Sequence, residues 1–370
     1  MKILVLGGTG AMGIDLVEML AQRGEAVTVT SRSARKSEYS HVKYVQGDAR
    51  DTDFLRGLLH DRYDAVVDFM VYSTEEFKER LGLLLDAAGQ YVFLSSSRVY
   101  ADSKEPITED SPRLLDVTTD EKYLKTDEYA LAKARQEDLL RKSGRTNWTV
   151  IRPYITYSSQ RLQLGVYEKE LWLYRALEGR TIIFPKDIAE AYTTMTLGKD
   201  VAAGIAGLIG NEKALGETFH ITADRAVKWD NVLGIYKKVF QEKMGREIKV
   251  LYTDDPKPIY SIMGNKYQVI YDRVYDRTFN SGKILRFTGL PGEYTLPADG
   301  LRKCLEELLD SGGMKRISWG IQGYMDRMAG ETVPLKGIPG IRERVKYLLY
   351  RFAPPAARAG RVIFRLICRR

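Results

Sequence analysis

The first half of the chain alternates short apolar runs with longer stretches of helical periodicity. Lys2–Leu6 is an apolar run, a glycine-rich turn follows, and Ile14–Arg23 then repeats apolar positions every three or four residues. β-Branched and apolar runs recur at Ala26–Thr30, Val42–Val45, Ala65–Phe69 and Tyr91–Leu94, with helical patterns at Thr52–His60 and Thr74–Ala87. Asp127–Lys142 reads as a further helix and Trp148–Ile151 as a further strand. Continuous apolar strands separated by helices build βαβ units, whose parallel sheet is covered on both faces. The pattern therefore predicts a doubly wound α/β sheet.

After Pro153 the pattern changes. Gly165–Leu177 reads as helix, Thr181–Phe184 as strand, Asp200–Ile209 as helix and Gly216–Ile221 as strand. Between about 223 and 300 Tyr, Lys and Asp are frequent and the periodicity weakens. A chain of 370 residues exceeds one ordinary domain. The expected division is a nucleotide-binding domain over 1–155 with returning segments near 190–222, a smaller interleaved α/β substrate-binding part over 156–310, and a helical C-terminal extension with a basic amphipathic tail over 311–370.

The turn after the first strand reads Gly7-Gly8-Thr9-Gly10-Ala11-Met12-Gly13, a G-x-x-G-x-x-G spacing between a strand and a helix. Glycines let the backbone turn tightly and lie against a pyrophosphate, while the helix N-terminus offers free N–H groups to the anion. Gly7, Thr9, Gly10, Ala11, Met12 and Gly13 are thus expected to hold a dinucleotide on a Rossmann-type sheet. An acid at the end of the second strand would bind the ribose 2′-hydroxyl. Here the sequence is Thr30-Ser31-Arg32-Ser33. Arg32 suits a 2′-phosphate through a forked bond, which favours NADP over NAD. Stacking over the adenine or facing solvent is the alternative. Asp48 and Ala49 follow the third strand near the expected adenine edge, where Asp48 serves equally as a turn or cap residue.

Tyr129 and Lys133 are four residues apart, on one face of the predicted helix. A cation beside a phenol favours the phenolate and suits it to acid–base work. Alone, this spacing describes an ordinary solvated helix face. Phe93-Leu94-Ser95-Ser96-Ser97-Arg98-Val99-Tyr100 gives it context. It lies at the carboxyl end of the fifth strand, where such sheets bind ligands, although serines also serve there as turn residues.

GGTGAMG, GDARD, LSSSRVY, YALAK and Ile151-Arg152-Pro153, taken in order, resemble the extended short-chain dehydrogenase/reductase superfamily in its nucleotide-sugar epimerase/dehydratase branch. The resemblance is specific in the first half and loose to about residue 310, where GETFHIT and NSGKILRFTGL echo it. It implies that Ser96 is the active-site hydroxyl, Tyr129 the acid/base, Lys133 its partner, and that Ser95 and Pro153 lie along the cofactor. Dehydratases of that branch carry an Asp-Glu pair directly after the active-site hydroxyl residue. Ser97 and Arg98 stand there in this chain, which disfavours dehydration. The implied activity is epimerisation or reduction of a nucleotide-linked sugar, with NADP or NAD as cofactor. Reduction of a non-sugar carbonyl and a regulatory, RNA-binding role remain alternatives.

A nucleotide diphosphate needs cations, and arginine meets phosphate with a fork. Arg161, Lys169, Arg175 and Arg273 are the candidates, with Arg180 and Arg277 nearby. For any single one of them, a surface charge or an ion-pair partner of Glu168, Glu170 or Glu178 is the simpler reading. Tyr154, Tyr157 and Trp172 suit either a base pocket or the core.

The net charge of +8 changes the picture least where it first seems to matter most. Residues 341–370 hold eight Arg and one Lys against Glu343 alone, so 48 basic and 48 acidic side chains balance over the rest. The body therefore gives no reason to expect a nucleic-acid partner. In the tail Arg358, Arg361, Arg365 and Arg369 recur at helical steps beside Val362, Ile363, Leu366 and Ile367. Such a stripe fits a membrane surface, or a helix packed on the body with its arginines outward. Two cysteines, Cys304 and Cys368, make no disulfide framework and suggest a reducing compartment. Nothing at the N-terminus reads as a signal peptide. His41, His60 and His220 are scattered, and no metal site is expected. The expected setting is cytoplasmic, with membrane contact through 341–370 and a homodimer as open options.

Overall fold

The structure is a computed structural model that describes residues 1–289, 294–312, 314 and 316–354. It divides into two compact units.

The first unit comprises Met1–Ser158, Tyr192–Ala226 and Asp276–Gly300. Its strands are β1 (Lys2–Leu6), β2 (Ala26–Ser31), β3 (Val42–Gln46), β4 (Tyr63–Asp68), β5 (Ala88–Leu94), β6 (Trp148–Pro153) and β7 (Glu217–Ile221). Its longer helices are α1 (Gly13–Gln22), α2 (Thr52–Leu58), α3 (Thr74–Ala87), α4 (Tyr129–Lys142) and α5 (Gly198–Leu208). All seven strands are parallel, in the order β3-β2-β1-β4-β5-β6-β7. This is the Rossmann order with a seventh strand added. The winding reverses between β1 and β4, which opens a crevice at their carboxyl ends.

Both faces of the sheet are buried, which is why its strands read as unbroken apolar runs. Ile3 and Val5 pack on one face with Leu16 and Leu20 of α1 and Val201 and Ile205 of α5. Leu4 and Leu6 point the other way, into Leu55 of α2 and Phe77 and Leu84 of α3. The helix starts are set by polar side chains. Ser73 Oγ accepts from Glu76 N at 3.2 Å, and Glu76 Oε2 accepts from Ser73 N at 2.7 Å, a reciprocal cap on α3.

The second unit comprises Ser159–Ala191, Val227–Tyr275 and the chain from Leu301. Helix formation begins at Lys169, four residues later than the periodicity suggests. Gln163–Leu164 and Tyr167–Glu168 instead pair antiparallel around Gly165, whose φ of +57° makes the hairpin turn. Ile182–Pro185 pairs in parallel with Val250–Thr253. Trp172 stacks flat on Tyr236, with centroids 4.4 Å apart. Residues 301–354 belong to this unit and form no separate extension, whereas 276–300 return to the sheet unit. The predicted tail helix from 356 onward lies outside the described residues.

Candidate active site

The glycine loop leaves β1 at Gly7, whose φ is +72°. Gly7 N donates to Thr30 Oγ1 at 2.9 Å, which ties the loop to the end of β2. A Cβ on Gly13 would lie 2.6 Å from the carbonyl carbon of Gly8, so only glycine lets α1 start so close to the turn. Gly10 is exposed, and a Cβ there would meet nothing within 4 Å. The three glycines thus supply a left-handed turn, an open approach and close packing, the combination that a dinucleotide pyrophosphate requires. Around them, Thr9 N donates to Gly7 O at 2.8 Å, Ala11 O sits against Gly198 at the start of α5, and Met12 stands at the N-cap just before α1. The residues present fit a dinucleotide. Gly10→Ala should therefore keep the melting temperature but lower dinucleotide affinity by about tenfold or more in calorimetry. Gly13→Ala should lower both; unchanged affinity in Gly10→Ala would remove the loop from the binding site.

At the end of β2, Ser31 is buried and its Oγ accepts from Ser33 N at 3.3 Å. Arg32 is exposed, and its guanidinium has no partner among the described residues. Asp48 makes a turn through Arg50 N at 3.0 Å, Ala49 is buried beneath it, and Asp51 is the cap of α2.

The serine run and α4 come together at the carboxyl end of β5. Lys133 is buried, and its Nζ donates to Leu94 O at 2.6 Å and lies 4.6 Å from the Phe93 ring centroid. One turn earlier Tyr129 is half-buried at the first position of α4, with the Arg98 guanidinium 5.3 Å from its ring centroid. Ser96 lies between these anchor points. Its Oγ accepts from Arg98 N at 3.2 Å, which leaves the hydroxyl proton to donate. Ser95 turns away, donating to Glu137 Oε1 at 2.6 Å, so its hydroxyl is committed to the protein. Pro153 ends β6 and is buried.

Burial pushes the Lys133 ammonium down from 10.5 to about 8, against the pull of Asp68 and Glu137. Between those two values the unfolded chain binds more protons than the native one, so this group makes stability rise with pH; below about 8 its full cost is present. Lys133→Met should accordingly melt roughly 2–5 °C higher at neutral pH. That gain should shrink as the pH is raised beyond the Lys133 titration. A pH-independent difference in melting temperature would contradict this assignment.

Three features of the site were not foreseen from the residues. Arg98 binds Glu128 Oε1 at 2.6 Å, and Glu128 also caps α4 by accepting from Ala130 N at 2.9 Å and receives Tyr123 OH at 3.1 Å. This fixes the turn that carries Tyr129. Beneath it, Arg152 holds the buried Glu137 with a fork, Nε at 2.8 Å and Nη2 at 2.7 Å. Burial would raise the Glu137 carboxyl, but the Arg152 charge and hydrogen bonds outweigh it and hold the group below the usual carboxylate range. Asp68, at the end of β4, is buried under Tyr91 OH at 2.9 Å and Met70 N at 2.9 Å, and burial raises its pKa. A signal for Glu137 existed, since Tyr129, Lys133 and Glu137 follow one another at four-residue steps.

The cations expected to hold phosphate are engaged by the protein. Arg161 pairs with Glu168 at 2.9 Å and Lys169 with Glu170 at 2.7 Å. Arg175 is fully buried. It donates to Asp326 Oδ1 at 2.9 Å, Glu331 Oε2 at 3.0 Å and Thr181 O at 2.6 Å, which makes it a structural residue of the second unit. Arg180 shares Asp326. Arg273 is buried against Asp272 and donates to Gly165 O at 3.0 Å. Arg277, in the sheet unit, donates to Ala101 O at 2.9 Å and Tyr100 O at 3.1 Å. Tyr154, Tyr157 and Trp172 are core residues.

The family model of the NAD dependent epimerase/dehydratase family matches residues 3–197, just over half of the chain. The chain belongs to that family. Among curated relatives it is 29% identical over 249 residues to the chloroplast stem-loop binding protein of 41 kDa b of Arabidopsis thaliana, covering 62% of this chain and 61% of that protein. It is 36% identical over 134 residues to the UDP-glucose 4-epimerase of Lactobacillus helveticus, covering 30% of this chain and 41% of that enzyme. The matches thus reach less than two thirds of either relative. The UDP-glucuronic acid 4-epimerase of Bacillus cereus, solved with UDP-glucuronic acid and NAD, superposes with a TM-score of 0.64 at 15% identity. That superposition covers 84% of this chain and 100% of the enzyme, and the likeness is one of fold.

Proposed function

We propose that the chain is an NAD(P)-dependent epimerase or oxidoreductase acting on a nucleotide-linked sugar. The observation that carries this reading is the packing of α4 on the end of β5: Lys133 is anchored at Leu94 O and the Tyr129 ring meets the Arg98 guanidinium, two residues of the turn that hold Ser96 between them in the chain. When bound, the nicotinamide supplies hydride transfer. Tyr129 takes the proton from the sugar hydroxyl being oxidised, Ser96 donates to the same oxygen, and Lys133 favours the phenolate electrostatically. Epimerisation needs the cofactor retained between the two half-reactions; reduction needs it exchanged.

Dehydration needs a free acid beside the active-site hydroxyl. In its place Ser97 donates to Arg152 O at 2.8 Å, and Arg98 is paired with Glu128. The family description spans epimerases and dehydratases, and these two residues support the first. The exposed Arg32, with no carboxylate at the end of β2, supports NADP, while the NAD in the B. cereus epimerase structure supports NAD for this fold.

Mass spectrometry of the dinucleotide carried through purification tests the reading. Retained NAD supports epimerisation and exchangeable NADP supports reduction; affinity for neither dinucleotide would overturn both.

A second reading rests on the stem-loop binding relative. It makes the chain a nucleic-acid stem-loop binder on an epimerase fold. The neutral charge balance of residues 1–340 weighs against it, because phosphate contacts need cations. Stem-loop binding that persists unchanged in Tyr129→Phe, with no turnover of any nucleotide sugar by the wild type, would favour it.

A further inference from the structure

The helix Gly340–Phe352 presents its apolar side to solvent. Ile341 is 77% exposed, Val345 48%, Leu349 40% and Phe352 58%, and Leu335 just before the helix is 39% exposed. Steps of four, four and three residues put the four helix positions on one stripe. Its opposite side is firmly held. Tyr347 is fully buried, donates to Asp326 Oδ2 at 2.7 Å and accepts from Val333 N at 2.8 Å. Gly323 of the helix Trp319–Ala329 admits the Tyr347 backbone so closely that a Cβ there would lie 2.4 Å from Tyr347 O. The helix is therefore docked by its polar-bonded side and cannot roll to hide the stripe.

Exposed Arg342 follows Ile341 directly and borders the stripe, whereas Lys346, partly exposed after Val345, is paired with Glu343 on the same helix. The sequence beyond Pro355 adds five arginines and no acid. We propose that this face is a docking surface for an anionic lipid bilayer, lying in the interface with Ile341, Val345, Leu349 and Phe352 among the acyl chains and the cations at the headgroups. No described helix is long and apolar enough to cross a membrane, so the contact is peripheral. Two other occupants fit less well. A nucleic acid would meet the cations but leave the apolar stripe in water. A second copy would cover the stripe but bring two strongly basic segments together. An anionic bilayer satisfies both features, and the surface is independent of the reaction proposed above.

The test is co-sedimentation of the full chain with phosphatidylcholine vesicles, with and without phosphatidylglycerol. It is repeated with the triple variant Ile341→Ser, Val345→Ser, Leu349→Ser, which leaves the charge unchanged at exposed positions. The wild type should bind the anionic vesicles, release them as salt is raised, and lose affinity about tenfold or more on the triple substitution. Failure to bind anionic vesicles overturns the proposal, as does anionic binding that the triple variant retains in full. Equal binding to neutral vesicles overturns the role of the cations. Wild-type dimers or stem-loop complexes in the absence of vesicle binding assign the surface to those partners instead.

Discussion

Replacing Tyr129 by Phe should lower turnover by about 10²–10⁴-fold while leaving dinucleotide affinity within about a factor of three. The phenol oxygen is the only atom lost. The ring remains under Arg98 in the first turn of α4, so the Glu128 cap and the Lys133 anchor on Leu94 O are kept. On the proposed mechanism proton transfer then lacks its base, whereas the glycine loop, proposed to carry the pyrophosphate, is untouched. Steady-state kinetics on the substrate identified for the wild type, with calorimetry on the cofactor, separates the two effects. A fall in kcat with little change in KM identifies a transition-state role. Equal loss of cofactor affinity would assign Tyr129 to binding instead.

Glu137→Gln should destabilise the sheet unit by about 3–5 kcal/mol, because it leaves Arg152 buried and charged without its carboxylate. Arg152 is 2% exposed and Glu137 fully buried, so water cannot take the place of the lost ion pair. Arg113 and Arg141 reach the same carboxylate at 3.4 and 3.3 Å, which adds to the uncompensated charge. The pH dependence has a fixed sign. The native Glu137 pKa lies below its unfolded value, so its contribution is fully present above the ordinary carboxylate range and is lost as the pH falls through the native pKa. Denaturant unfolding should thus show a wild-type advantage over Glu137→Gln that is constant at neutral pH and shrinks in acid. A variant as stable as wild type at neutral pH would show that the pair contributes nothing net to the fold.

Local patterning carries the sheet. The apolar runs at Lys2–Leu6, Ala26–Thr30 and Tyr91–Leu94 are strands because both faces of each are covered, and the glycine loop lies at the winding reversal. β4 starts two residues earlier than its apolar run, since Tyr63 pairs with Ala88 of β5 although the exposed Asp64 interrupts the apolar pattern. The hairpin at Gly165 is hidden by the helical spacing that follows it to Leu177, although the positive φ of Gly165 makes a turn there. Long-range partners are the larger gap. Arg175 and Asp326 are 151 residues apart, and nothing in the local sequence distinguishes a buried arginine with two carboxylates from a phosphate ligand. Arg98 was read as the residue that replaces a dehydratase acid. Its place over the Tyr129 ring appears only once the short turn Ser97–Val99 and α4 are folded together.

Ser96, Tyr129 and Lys133 are proposed to drive hydride transfer between a nucleotide sugar and the bound dinucleotide. Rapid-scan absorbance of the cofactor-loaded protein, mixed with UDP-glucose, UDP-galactose and UDP-glucuronic acid in turn, tests it directly. At least one sugar should raise the reduced-nicotinamide band in the wild type, and none should do so in Tyr129→Phe. Binding of these sugars without any such band, or a band of equal size and rate in Tyr129→Phe, would contradict it.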